Sequence, residues 1–164
     1  MKKNDTVFIY PTDTVWGIGG SIWSQEAYDK VCDIKRTGRG KPLSIIVSDV
    51  EMLSGFIKVP DFLSVEKINK LIELEVTLAF NQKYLTREVP KYIYPNSDLV
   101  GFRVARDAAL SSLINDHGEA ITSTSLNFTG ESPIIDYEDA YDFYEKIKSS
   151  YENVSFEKEL GNTI

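Results

Sequence analysis

The 164-residue chain holds a single cysteine, Cys32, and a single histidine, His117. One cysteine excludes an internal disulfide and a cysteine-built zinc site, and it suits a reducing compartment. Long apolar runs are missing as well. No segment approaches the ~20 residues that cross a bilayer, and Val7–Tyr10 is too short for the apolar part of a secretory signal. A soluble, cytoplasmic protein with no membrane partner is expected. Internal repeats, low-complexity tracts and Gly/Ser/Pro linkers are absent, so residues 1–164 read as one domain. Positive charge is scarce: 18 Lys and Arg face 25 Asp and Glu, for a net charge of −7. A protein that grips long nucleic acid through its phosphates carries a basic face. Weak or no direct RNA binding is therefore expected, although a small local anion site stays open.

What is present suffices for a core, with 42% apolar and 12% aromatic residues. Apolar stretches at Val7–Tyr10, Leu43–Val47, Val76–Phe80, Leu99–Val104 and Ala120–Ser123 read as strands. Helices alternate with them. Ser24 opens one through about Arg36, with Ala27, Val31 and Ile34 on a single face. Ser48-Asp49-Val50-Glu51 has capping-box spacing and starts a short helix. Asp61 or Ser64 opens a helix through Ile72, Asp107 one that ends near His117-Gly118, and Asp136 one through about Tyr151, followed by a polar tail. Such alternation indicates an α/β sheet covered by helices. Strand order is not readable.

Three polar runs follow strands, where ligands collect in open α/β sheets. Tyr10-Pro11-Thr12-Asp13-Thr14 leads into Gly17, Gly19 and Gly20, glycines that permit close backbone approach to a ligand. Lys35-Arg36-Thr37-Gly38-Arg39-Gly40-Lys41 concentrates four cations in an acidic chain, where Lys and Arg can neutralise phosphate oxygens. It is no P-loop, because Pro42 follows Gly40-Lys41. Thr122-Ser123-Thr124-Ser125-Leu126-Asn127-Phe128-Thr129 offers five hydroxyls and an amide. Each run alone also reads as an ordinary turn or a solvated helix end. Together they gather groups suited to anions at the strand ends of one small domain. Arg103, within a strand, pairs with a carboxylate or faces a ligand; the sequence leaves both open.

In order and spacing these segments resemble the YrdC family of threonylcarbamoyl-AMP synthases. Pro11–Gly19 matches its PT[DE]TVYGLG opening, Lys35–Leu43 its KxRxxxKPL loop, Gly101–Ala105 its [VG]xRxP strand and Ser123–Gly130 its S[PT]SAN-x-SG turn, over about residues 6 to 135. The resemblance implies a single YrdC-like domain: an open, twisted, mixed sheet with flanking helices and a concave electropositive pocket. It implies that Thr12, Thr14, Arg103 and Ser123 hold L-threonine. Lys35, Arg36, Arg39, Lys41, Ser125 and Asn127 would bind ATP, with Lys35 and Lys41 catalytic. Mg²⁺ would accompany the ATP, and no protein side chain is assigned to it. Bicarbonate or CO₂ would be the third substrate, and the product would pass to a tRNA threonylcarbamoyl transferase.

The chemistry this implies suits the composition. Threonine's amine takes up CO₂, and the carbamate oxygen then attacks the α-phosphate. Catalysis therefore needs cations and hydrogen-bond donors, with little covalent work by the protein. No Ser–His or Cys–His pair is required. The sequence also departs from the family pattern. Thr37 replaces the loop arginine, and whether Arg36 or Arg39 stands in is open. Glu73-Leu74-Glu75-Val76-Thr77 replaces PGPxT, Leu126 replaces alanine in SAN, and Ala105 replaces proline. A C-terminal extension carried by longer relatives is not matched, so the chain reads as the short form. These departures leave room for a weak or inactive module that binds nucleotide or RNA. Carbamoyl transfer from carbamoyl phosphate ranks lower, because it needs further domains. His117 and Cys32 read as structural, and Tyr137, Tyr141, Phe143 and Tyr144 as a packing face.

Overall fold

Alternating side chains split the core across the two faces of one sheet. The computed structural model describes residues 5–157. It places Val7, Ile9, Ile45 and Val47 in a large core on one face, and Phe8, Tyr10 and Ile46 in a smaller core on the other, as the two-residue period of strands dictates. Seven strands contribute: β1 (Val7–Pro11), β2 (Trp16–Gly20), β3 (Ser44–Val47), β4 (Leu78–Asn81), β5 (Leu99–Val104), β6 (Ile121–Ser125) and β7 (Val154–Phe156). Their order is β4-β5-β3-β6-β2-β1-β7. Only β3–β5 and β1–β7 are parallel pairs, so the sheet is open and mixed.

Five helices flank it: α1 (Gln25–Lys35), α2 (Val50–Ser54), α3 (Val65–Glu73), α4 (Ala108–His117) and α5 (Tyr137–Ile147). Ala27, Tyr28 and Val31 of α1 and Ala140, Phe143 and Ile147 of α5 enter the large core. Leu110 and Ile114 of α4 close the small one. Full burial of each such side chain contributes roughly 1.5–3 kcal/mol. The helix starts follow their caps: Ser24 accepts from Ala27 N, Ser64 from Lys67 N and Asp107 from Ala109 N. Gly118, at φ 85, ends α4 in the left-handed conformation. His117 packs edge-on against Phe8, with 5.2 Å between ring centres, and Cys32 is buried.

Four local expectations need correction. Trp16–Gly20 is a strand rather than part of a ligand-binding turn, and its glycines admit protein. A β-carbon at Gly19 would lie 1.6 Å from the Thr122 carbonyl oxygen, and one at Gly17 would lie 2.6 Å from the Tyr10 ring. The cap of α2 is Asp49, which accepts from Met52 N at 2.7 Å, one residue beyond Ser48. β4 starts at Leu78 rather than Val76, because Glu75 leaves α3 at φ 58. Finally, α5 stops at Ile147, and the expected polar tail instead supplies β7, where Phe156 stacks on Trp16 with 5.1 Å between ring centres. The part of that tail beyond Glu157 lies outside the described residues. Among the described residues, no helix is long and apolar enough to cross a membrane.

Candidate active site

Where β5, β3, β6 and β2 run side by side, a cavity of about 280 Å³ opens. Thr12, Trp16, Gly17, Ser44, Thr77, Arg103, Ser123 and Ser125 are among its lining residues. The three polar runs and the strand arginine contribute to it unequally.

Arg103, 31% exposed, is the charged side chain in the lining. Its Nη2 lies 3.4 Å from the Glu75 carbonyl and 3.9 Å from Asp13 Oδ1. Both contacts are long, and a loose ion pair at this exposure contributes little. Arg103 therefore has protein neighbours and still faces the cavity. Thr12 also lines the cavity, but its hydroxyl is engaged within its own turn. Oγ1 donates to the Val15 carbonyl at 2.6 Å and accepts from Thr14 N and Val15 N at 3.3 Å. Thr14 is exposed and outside the lining, with its hydroxyl 3.4 Å from that of Thr12.

On β6, Ser123 Oγ accepts the phenol proton of Tyr10 at 2.7 Å. Ser125 Oγ donates to Asn127 Oδ1 at 2.8 Å. Asn127 is saturated: Oδ1 also accepts from Lys35 Nζ at 2.8 Å, while Nδ2 donates to the carbonyls of Phe128 and Glu131. Lys35, at the end of α1, is buried and directs its three N–H bonds to the Ser125 carbonyl, the Asn127 carbonyl and Asn127 Oδ1. Burial, and secondarily Lys41, lower its pKa to about 8. Lys35, Ser125 and Asn127 thus form one unit, with Lys35 as the clamp of the 125–131 turn. Lys41 is exposed beside Pro42, which lines the cavity.

The structure does not bring the loop arginines to this cavity. Asp29 and Asp33 stand one turn apart on α1 and hold Arg39 at 2.6 and 2.8 Å on the helix surface. Arg36 caps α1 at φ 55, its guanidinium 4.1 Å over the Phe128 ring, and lines a separate cavity with Lys146. Neither is in the lining of the cavity that Arg103 faces. Thr77, not singled out from the sequence, also lines that cavity, and Tyr10 lies buried behind it, bonded to Ser123. Only the strand register exposes Tyr10, which sits opposite the side-chain-free Gly17.

The family model Sua5_yciO_yrdC, described as telomere recombination, matches residues 1–151. The chain belongs to the Sua5/YciO/YrdC family. Curated relatives named threonylcarbamoyl-AMP synthase include one from Histophilus somni, 28% identical over 135 residues, covering 81% of this chain and 72% of the relative. Another, from Actinobacillus succinogenes, is 31% identical over 136 residues with the same coverage. Among solved structures, P. abyssi Sua5 complexed with L-threonine shares the fold at a TM-score of 0.74 and 20% identity, covering 94% of this chain and 43% of that one. E. coli YciO does so at 0.71 and 23%, covering 93% and 70%. The chain thus spans less than half the length of the Sua5 structure. Membership in this family accounts for the order in which the polar runs follow one another along the chain.

Proposed function

We propose that this chain is a nucleotidyltransferase, folded as a single YrdC-like domain, that makes L-threonylcarbamoyl-adenylate from L-threonine, bicarbonate or CO₂, and ATP. The observation that carries this reading is the cavity that joins Arg103, Ser123 and Ser125, in a chain whose relatives are named for that product. Threonine's carboxylate binds Arg103 and Ser123, a charge-assisted arrangement. Its amine forms the C–N bond to CO₂ and loses a proton, and a carbamate oxygen bonds to the α-phosphorus as pyrophosphate leaves with the P–O bonding pair. The protein supplies position and positive charge. Lys41 meets the phosphates as a mobile cation, while Lys35 holds the Ser125–Asn127 turn. A pocket poor in water would protect carbamate and mixed anhydride from hydrolysis.

Mg²⁺ would enter on the triphosphate, where it neutralises the leaving pyrophosphate. Among the described residues no cluster of three or more His, Cys, Asp or Glu is gathered to hold a metal. The product would then serve a tRNA-modifying transferase in the cytoplasm.

Pyrophosphate release should require ATP, L-threonine, bicarbonate and Mg²⁺ together; release without threonine would sink the proposal. One observation favours a second reading, a slow or inactive nucleotide- or RNA-binding module. Thr37 stands where the family pattern has its loop arginine, and neither Arg36 nor Arg39 lines the cavity. ATP or RNA binding without any pyrophosphate release would select it.

A further inference from the structure

Tyr10 is buried beneath the cavity, in the small core with Phe8, Ile46 and Ile121. Its ring crosses β2 at Gly17, its direct partner in the β1–β2 pairing, where any β-carbon would collide with it. The O–H ends on Ser123 Oγ at 2.7 Å, from a residue 113 positions away. Burial raises the phenol's pKa, outweighing the opposing pull of Ser123 and Arg103, so it stays a donor near neutral pH. The neighbouring hydroxyl has the opposite commitment. The Ser125 O–H is taken by Asn127 Oδ1, and that amide cannot be reversed, because Lys35 donates to the same oxygen.

We propose that Tyr10 is a positioning residue that sets the direction of hydrogen bonding in the cavity. By filling one acceptor site on Ser123 it turns the Ser123 proton toward the ligand, while Ser125 offers lone pairs. Arg103 and Ser123 then make a donor end for a carboxylate, and Ser125 makes an acceptor end for an amine N–H. An α-amino acid enters in a single orientation, with its amine on the side of the Lys35–Asn127 turn. The inference rests on the amino-acid substrate proposed above and adds the residue that orients it. It also explains the glycine at position 17 without assigning that glycine a ligand contact.

The test measures the KM for L-threonine and the inhibition constant of L-threoninamide, whose neutral head group gains less from a charge-assisted donor. Pyrophosphate release is followed in the unaltered chain, Tyr10→Phe, Ser123→Ala and the double variant. Tyr10→Phe should raise the KM for threonine about ten-fold with kcat within about two-fold, and weaken the amide much less. In the Ser123→Ala background the same change should add nothing, since both act through one hydroxyl. An unchanged KM, equal weakening of acid and amide, or full additivity overturns the assignment of Tyr10 and leaves the enzyme reading intact. If the unaltered chain shows no threonine-dependent release, the enzyme reading falls and this inference falls with it. Should Tyr10→Phe fail to fold, Ser123→Ala decides. Loss of its donor must separate acid from amide, and equal shifts overturn the proposal.

Discussion

Lys35 has three N–H donors and three acceptors placed to take them, so its ammonium is an internal strut of the 125–131 turn. Lys35→Met should remove the lysine donor from all three, leaving Asn127 Oδ1 only its bond from Ser125, and cost about 1–3 kcal/mol in denaturant unfolding. The pH dependence has a definite sign. Burial favours the neutral amine, so the folded-state pKa of about 8 lies below the ordinary 10.5. Between those values the unfolded chain binds more protons, and the stability of the unaltered chain should rise relative to Lys35→Met as pH climbs through that window. Melting curves of both chains from pH 7 to 10.5 check it; a falling difference would contradict it. Lys41 differs in kind: it is exposed and structurally undemanding. Lys41→Ala should lower turnover at least about ten-fold with an unchanged melting temperature, the result expected of a group stabilising charge in the transition state. Unchanged turnover would remove it from the site. From the sequence both lysines look alike; burial separates them.

At the scale of elements, legibility followed the strength of local signals. Ser24, Asp107 and Gly118 mark helix ends by side-chain and backbone chemistry that acts within four residues; α1 begins at the first, and α4 begins and ends at the other two. β2 and β7 carry no such mark. Trp16–Gly20 holds three glycines, which depress strand propensity, and only the distant carbonyl of Thr122 explains why Gly19 must lack a side chain. Gly19→Ala should therefore be among the most damaging single changes, costing about 3–5 kcal/mol or abolishing folding. A denaturant midpoint within experimental error of the unaltered chain would refute the packing. The site shows the same division. Arg103, Ser123 and Ser125 were readable because polar groups at strand ends are uncommon without a use, and all three line the cavity. The handcuffing of Arg39 by Asp29 and Asp33 depends on how the loop folds back over α1, and the route from Tyr10 to Ser123 depends on register. Neither is a local property.

Taken whole, the molecule is acidic, with a net charge of −7, and among the described residues several cations are paired locally: Arg39 to two aspartates, Arg106 to Glu75, Lys148 to Glu145. A net negative charge gives little overall attraction for a polyanion. Binding of tRNA should accordingly be weak at about 0.15 M salt and fade further as salt rises, in a gel-shift or filter assay. Tight, salt-resistant retention would show an RNA surface that charge alone does not reveal. A small anionic substrate is different, because it needs only the few groups that border one cavity.

The cavity straddles the contact between β2 and β6, where Gly20 and Thr122 bond to each other from 102 positions apart in the chain. That pairing closes a long loop, and contacts so distant in sequence slow folding. No fragment containing one half of the sheet possesses the recess, so occupancy and global cooperativity become a single equilibrium. A substrate bound as proposed would act as a clasp across that seam. It would lengthen the lifetime of the native state by retarding escape from it, with little influence on how quickly the chain first arrives there.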